Sequence, residues 1–339
     1  MSEPIPHPRE TFAWIGDDAH ERAFVAALER GRLHHAWLVI GPPGVGKATF
    51  AYRAARRLLG AAPAPALGAL GAAPEDPVCR RILARANPDL LVLQTLVEDG
   101  KARRFIPAEE ARGVADFFAK SPAAAPYRVA IVDVADDLGG VAANGVLKIL
   151  EEPPARGVIF LLSQAPGRLL PTIRSRCRRL AIAPPPADGV LAWVEARTGA
   201  DRATAARLLD MAGGAPGAAW RLADAGALEA DAAAARILAA VASDDPGPAQ
   251  ALADSFRGAA GAARFALFCE RLADQVHRRA VQGAGDAATR GVAERLAGAW
   301  SQIAELPRRV EAVNLDRGEV LFNILARLRA AAIDAHADR

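Results

Sequence analysis

The stretch GPPGVGKATF (41–50) holds Gly41, Gly46 and Lys47 at the spacing G-x-x-x-x-G-K. Glycines so placed let successive backbone N–H groups wrap phosphates, and a helix starting behind them favours negative charge. Lys47 would reach the β and γ phosphates; the next residue of a working loop supplies the hydroxyl that binds Mg²⁺. Here that residue is Ala48. Thr49 is turned about 100° further round the helix and is a poor substitute. Gly41, Pro42, Gly44, Gly46, Lys47, Ala48 and Thr49 are therefore the expected nucleotide-side residues.

Such a loop works with an acid that ends a buried strand and helps hold Mg²⁺. VAIVDVADD supplies Asp133. Efficient hydrolysis usually adds a glutamate next, where this chain has Val134. Asp136 and Asp137 fall past the strand and are expected to cap a helix or face solvent. With the hydroxyl and the base both absent, the site is expected to hold ATP or ADP weakly, with Mg²⁺ only alongside the nucleotide. A glycine-rich turn that never meets a nucleotide is the alternative.

Other chemistry-bearing residues are sparse. Arg168, Arg174, Arg176, Arg178 and Arg179 form a basic run that reads, on its own, as solvated charge. Lys101, Arg103 and Arg104 lack interleaved aromatics, so a solvated loop is expected rather than a nucleic-acid contact. His34 and His35 have no acid or cysteine at ligand spacing. Cys79, Cys177 and Cys269 form no CxxC pair, which argues against a zinc site or a disulfide framework and for a reducing, cytoplasmic location. MSEPIPHPRE has no apolar core of a signal peptide, and no apolar run reaches about 18 residues, so no membrane span is expected. The net charge of +3 permits contact with nucleic acid without arguing for it.

Elements must position these groups. The pattern gives a helix from Asp17 to about Arg30, strands at 36–40, 90–95, 128–134 and 158–163, and helices from Gly46 to about Leu59 and at 107–120 and 141–152. Residues 61–77 are expected to be irregular. Strands alternating with helices imply an α/β fold with a parallel sheet covered on both faces. After the prolines at 184–186 the pattern is helical, broken by GGAPG (213–217) and SDDPGP (243–248). Trp220 and Trp300 lie on helical patterns as core or interface anchors. The last part reads as about four or five helices, which pack alone or lend an apolar stripe to a partner.

GRLHHAWLVIGPPGVGKATFAYRAARRLL, RVAIVDVADDLGGVAANGVLKILEEPP and LLPTIRSRC together resemble the bacterial clamp-loader branch of the AAA+ family, nearest to its non-motor members of α-proteobacterial type. The helix with LEEPP and the SRC triplet are the specific features. The likeness covers residues 5 to about 184, and more loosely extends through DMAGGAPGAAWRLAD and NLDRGEVLFNILARL. It implies an AAA+ P-loop α/β module over 1–184, a small helical lid over 185–242 and an all-α oligomerisation collar over 243–339. It also implies a stator in the loader of DNA polymerase III, assembled with gamma/tau ATPase subunits and a delta subunit. That assembly places the sliding clamp on primed DNA during replication. The arginine of SRC, here Arg176, would act as a finger reaching in trans into a neighbour's ATP site, where a fixed, forked charge stabilises phosphoryl transfer. Ser163 stands where the γ-phosphate is sensed.

The chain departs from the family pattern in three places. Ser163 is polar, which is compatible with sensing the γ-phosphate but unspecific, and a strand-end cap is the alternative. Of the four cysteines that many members use for zinc only Cys79 remains, so no zinc is expected. Gly217 stands where active members have a nucleotide-sensing arginine, with Arg221 one turn later. Two other readings stay open: an active gamma/tau-like motor with a degraded loop, and a phosphate-loop kinase, which lacks a visible acceptor site.

Overall fold

A computed structural model describes residues 5–94, 97–98, 101–102, 108–243, 247–285 and 289–333. Arg103, Arg104, Thr95, Pro107 and the middle of SDDPGP lie outside them. The chain divides into two compact units, Met1–Arg221 and Leu222–Arg339.

The first unit is built on five parallel strands: β1 (Ala36–Ile40), β2 (Leu90–Gln94), β5 (Arg128–Asp133), β6 (Gly157–Ser163) and β7 (Arg178–Ala181). Their order is β2-β5-β6-β1-β7, and β3 (Val97–Glu98) and β4 (Lys101–Ala102) form a separate antiparallel pair. Side chains alternate across a strand, and the sequence uses this on both faces. Trp37, Val39, Val129, Ile131, Phe160 and Leu162 point to one core, with α1 (Ala19–Glu29), α2 (Lys47–Leu58) and α3 (Pro77–Leu83) on that side. Leu38, Ala130, Val132, Ile159 and Leu161 point to the other, under α4 (Ala108–Phe118), α5 (Gly140–Glu151) and α6 (Pro171–Arg176). Helices α7 (Ala187–Thr198), α8 (Arg202–Met211) and α9 (Pro216–Asp224) follow. The expected α/β parallel-sheet fold is therefore present, with a fifth strand, β7, that the basic run hid. Strand β7 shows only Leu180 to the core, so it carries no apolar run to read.

Helix α2 holds two buried arginines, each about 1% exposed. Arg53 makes paired bonds to Glu21 (2.5 and 2.9 Å) and donates to the carbonyls of Phe12 and Leu67. Glu21 also accepts from the Leu70 amide at 3.1 Å. Arg56 donates to the carbonyls of Thr11 and Arg9 and lies 3.9 Å over the Phe12 ring. These two side chains tie the N-terminal segment and the irregular 61–70 stretch to the helix behind the phosphate loop.

His7 closes the same segment. Its Nδ1 accepts from the Arg9 amide at 3.2 Å, its Nε2 lies 3.4 Å from Gln94 Oε1, and its ring meets Tyr52 edge-on. Burial, and then the charge of Arg9, hold the imidazole below its ordinary range against the pull of Gln94. The folded chain thus prefers neutral His7. Its contribution is complete above about pH 6.5, the unfolded value, and is lost as pH falls through the lower folded value. The urea midpoint is expected to drop between about pH 7 and 5, and His7→Asn is expected to flatten that slope relative to the parent chain.

The second unit comprises α10 (Ala227–Ser243), α11 (Gly247–Ser255), α12 (Gly258–Ala284), α13 (Arg290–Val313) and α14 (Arg317–Ile333). One apolar cluster joins them through Phe256, Phe265, Phe268, Leu272, Leu321 and Leu328. Trp300 remains 38% exposed against the ring of His277. Among the described residues no helix is long and apolar enough to cross a membrane.

Candidate nucleotide loop and candidate arginine finger

The loop 41–46 leaves the carboxyl end of β1 beside those of β5 and β6. It turns through positive φ at Gly41, Gly44 and Gly46, a backbone path that suits glycine. The Gly41 amide is held by the Ser163 carbonyl at 3.3 Å. Lys47 folds back into the loop, where its Nζ donates to the carbonyls of Gly41 (2.8 Å) and Pro42 (2.9 Å). Burial holds its ammonium below the ordinary lysine range, against the pull of Asp133 and Asp136; burial likewise raises the Asp133 carboxyl, against Lys47. At the place of the Mg²⁺ hydroxyl, the Ala48 methyl packs against the apolar core.

A cavity of about 350 Å³ opens here. Gly44, Gly46, Lys47, Ala48, Thr49 and Asp133 line it, whereas Gly41, Pro42 and Ser163 do not. Ser163 is fully buried, and its hydroxyl lies 2.6 Å from an Asp136 oxygen. Asp136 also accepts from the amides of Gln164 (2.6 Å) and Ala165 (3.2 Å), so it staples the end of β6 rather than capping a helix or facing solvent. The residue that reaches the cavity is Gln164.

Sequence reasoning also missed the aromatic wall. Trp14, Trp193 and Trp220 line the cavity, and the last two meet edge-on with Arg197 over both rings. Their spacing, 179 and 27 residues apart, offers no local signal.

The start of α9 closes directly over the loop. The Gly217 amide donates to the Gly44 carbonyl at 3.0 Å. A Cβ built on Gly44 would stand 2.2 Å from the Ala218 amide nitrogen and 2.8 Å from an Arg221 guanidinium nitrogen. Arg221, exposed over much of its surface, thus arches over the loop one turn after the place of the expected sensing arginine. The residues present do not fit a Mg²⁺–nucleotide: the hydroxyl is missing, Lys47 is bonded to its own loop, and α9 covers Gly44. Among the described residues no group of three or more His, Cys, Asp or Glu could hold a metal ion. Gly44→Ala is expected to unseat α9 at a cost of about 2–4 kcal/mol, since it combines a positive φ of 76° with overpacking. A red shift of Trp220 emission, now buried, would report it.

Cys79, Cys177 and Cys269 are buried in three different clusters, and burial raises their thiols to about 11, 12 and 12. His34 and His35 stack at 4.5 Å, with His34 Nδ1 bonded to the Ala36 backbone.

Two residues of the basic run, Arg176 and Arg178, are engaged by neighbours. Arg178 lies over Trp37. Arg176 ends α6, a helix of six residues. Ile173 and Cys177 face the core on either side of it, so the triplet SRC points outward at its centre. Both Ser175 Oγ (3.1 Å) and Arg176 Nη1 (3.3 Å) donate to the Thr172 carbonyl. Nη2 of Arg176 meets Glu151 at 3.0 Å. Arg176 does not line the loop's cavity; it presents a permanent charge on another part of the surface.

Comparison with known proteins adds to this geometry. A family model described as "DNA polymerase III, delta subunit" matches residues 16–186. A DNA polymerase III subunit delta' of Pseudomonas aeruginosa is 36% identical over 202 residues, 59% of each chain. The subunit delta' of Escherichia coli is 31% identical over 213 residues, 62% of this chain and 60% of that one. A DNA polymerase III subunit gamma of Buchnera aphidicola is 33% identical over 163 residues, 48% and 42% of the two chains. The matched region thus spans about three fifths of the delta' relatives' length.

Proposed function

Because the chain belongs to the DNA polymerase III delta-subunit family, we propose that it serves as the delta-prime-type, non-motor subunit of a clamp loader. In this reading residues 1–184 are the AAA+ module, the helices from 185 to Arg221 belong to the lid, and α10, which packs in the second unit's apolar cluster, goes with the collar. The collar joins the chain to gamma/tau-type ATPase subunits and a delta subunit, and the assembly loads a sliding clamp on primed DNA in the cytoplasm. Arg176 supplies the finger to a neighbour's ATP site. The loop 41–47 serves as scaffold, with nucleotide held weakly at most.

The observation that carries this reading is the contrast between the two sites. The loop is closed on itself, with Lys47 bonded to its own carbonyls and α9 bonded to Gly44. Arg176, by contrast, faces outward at the end of an anchored helix. Most of the exposed large apolar side chains among the described residues lie in the second unit: Val281, Trp300, Val313, Leu315 and Phe322. That distribution supports an apolar collar interface. A gamma/tau-like motor would need a hydroxyl at Ala48 and a carboxylate at Val134, and the chain has neither. The test is ATP turnover by a reconstituted loader carrying either Arg176→Ala or Lys47→Ala.

A further inference from the structure

We propose that Glu151 is a positioning residue for Arg176: its carboxylate fixes the aim of the guanidinium, so that a neighbour's phosphoryl group meets an ordered fork. The inference rests on the reading of Arg176 as a finger and adds the residue that sets it.

The placement of Glu151 is the first argument. It is the last residue of α5, which Pro153 and Pro154 forbid to continue. A helix C-terminus carries partial negative charge and disfavours an acid there. Glu151, followed by Glu152, is therefore poorly placed for the stability of its own helix. Its partner across the gap is Arg176, at 3.0 Å. Both side chains are substantially exposed, 51% and 38%, and exposed pairs of this kind contribute little to folding. A pair that helps neither its helix nor the core much is better explained by what it does to the arginine.

The second argument is the donor count. A guanidinium has five N–H groups in a rigid plane. Here Nη2 is committed to Glu151 and Nη1 to the Thr172 carbonyl. Two anchors on one plane fix its tilt and leave three N–H groups for an incoming anion. Without Glu151 a single long bond of 3.3 Å would remain, and a long side chain with much rotamer freedom would have to be ordered at the moment of docking. The backbone below is already fixed by buried Ile173 and Cys177. Leu170, at the other end of the same helix, is 41% exposed, an apolar residue on the element that would face the neighbour.

The experiment uses the full chain in a reconstituted loader with clamp and primed DNA, comparing Glu151→Ala, Glu151→Gln and Arg176→Ala. Glu151→Ala is expected to lower kcat roughly three- to tenfold, with KM for ATP changed by less than about twofold, the signature of an interaction used in the transition state. Glu151→Gln keeps an oxygen acceptor at the same place and is expected to recover most of the rate. If Arg176→Ala itself is silent, the finger reading fails and this inference with it. If Arg176→Ala is damaging while Glu151→Ala leaves kcat unchanged or raises it, the finger stands and the positioning role is overturned. A Gln variant as slow as Ala also overturns it, because the hydrogen bond is then not what matters. Thermal melts of the isolated variants, expected to match the parent, separate these outcomes from misfolding.

Discussion

Arg176→Ala is expected to slow DNA-stimulated ATP turnover by roughly 10³-fold or more at the site it serves, the usual scale for an arginine finger. Lys47→Ala in the same assembly is expected to change turnover by less than about twofold. The sign follows from the two environments. Arg176 is outward, permanently charged and anchored by Ile173 and Cys177 on its flanks, so its removal deletes charge without disturbing the fold. Lys47 is only 6% exposed and donates to the carbonyls of Gly41 and Pro42. Its removal would loosen a loop but delete no catalytic group. Because a motor that needs a finger in trans is silent alone, only the assembled loader gives a meaningful comparison. A large loss with Lys47→Ala and none with Arg176→Ala would reverse the assignment and make this chain a motor.

The largest effect on stability is expected at the buried pair of Glu21 and Arg53. Glu21 is completely buried and Arg53 nearly so. Arg53→Ala leaves a carboxylate in the core whose one other partner among the described residues is the Leu70 amide, and releases the carbonyls of Phe12 and Leu67. Breaking such a pair from one side costs about 3–5 kcal/mol. Glu21→Ala strands the guanidinium instead and is expected to cost a similar amount. The measurement is urea unfolding followed by circular dichroism. The double variant Glu21→Leu with Arg53→Met should recover part of the loss, since removing both charges avoids an unpaired one. Losses under about 1 kcal/mol in both single variants would mean that the pair is hydrated and the stretch 61–70 is held by something else.

These two expectations differ in how far the sequence foretold them. The phosphate loop and Asp133 were legible because each rests on short local spacing and a strand-to-helix context, whereas Arg176 stood out from its basic run only through the family resemblance. Strands β1, β2, β5 and β6 were legible because each is a continuous apolar run. Strand β7 was not, because an edge strand with one inward residue looks like a charged loop. The short helix α3 was hidden for want of length. The burial of Arg53 and Arg56 on α2 was not legible, since nothing local says that residues 9–12 and 61–70 will lie across them. Asp136 was misjudged for the same reason: its partners at 163–165 are 27 or more residues away. The tryptophan wall is a purely tertiary product. Contacts set by distant segments leave no period or motif to read.

The burial of all three cysteines has a practical consequence for watching this subunit at work. Each thiol is enclosed and held well above neutral pH in its titration, so thiolate, the form that reacts with maleimides, is scarce. The native chain is therefore close to a blank background for thiol-directed probes. A single L170C change would place one reactive handle on the exposed end of α6, two turns or less from Arg176. A fluorophore there would brighten or dim as a neighbouring subunit arrives, and would time assembly without touching the charges that the chemistry needs.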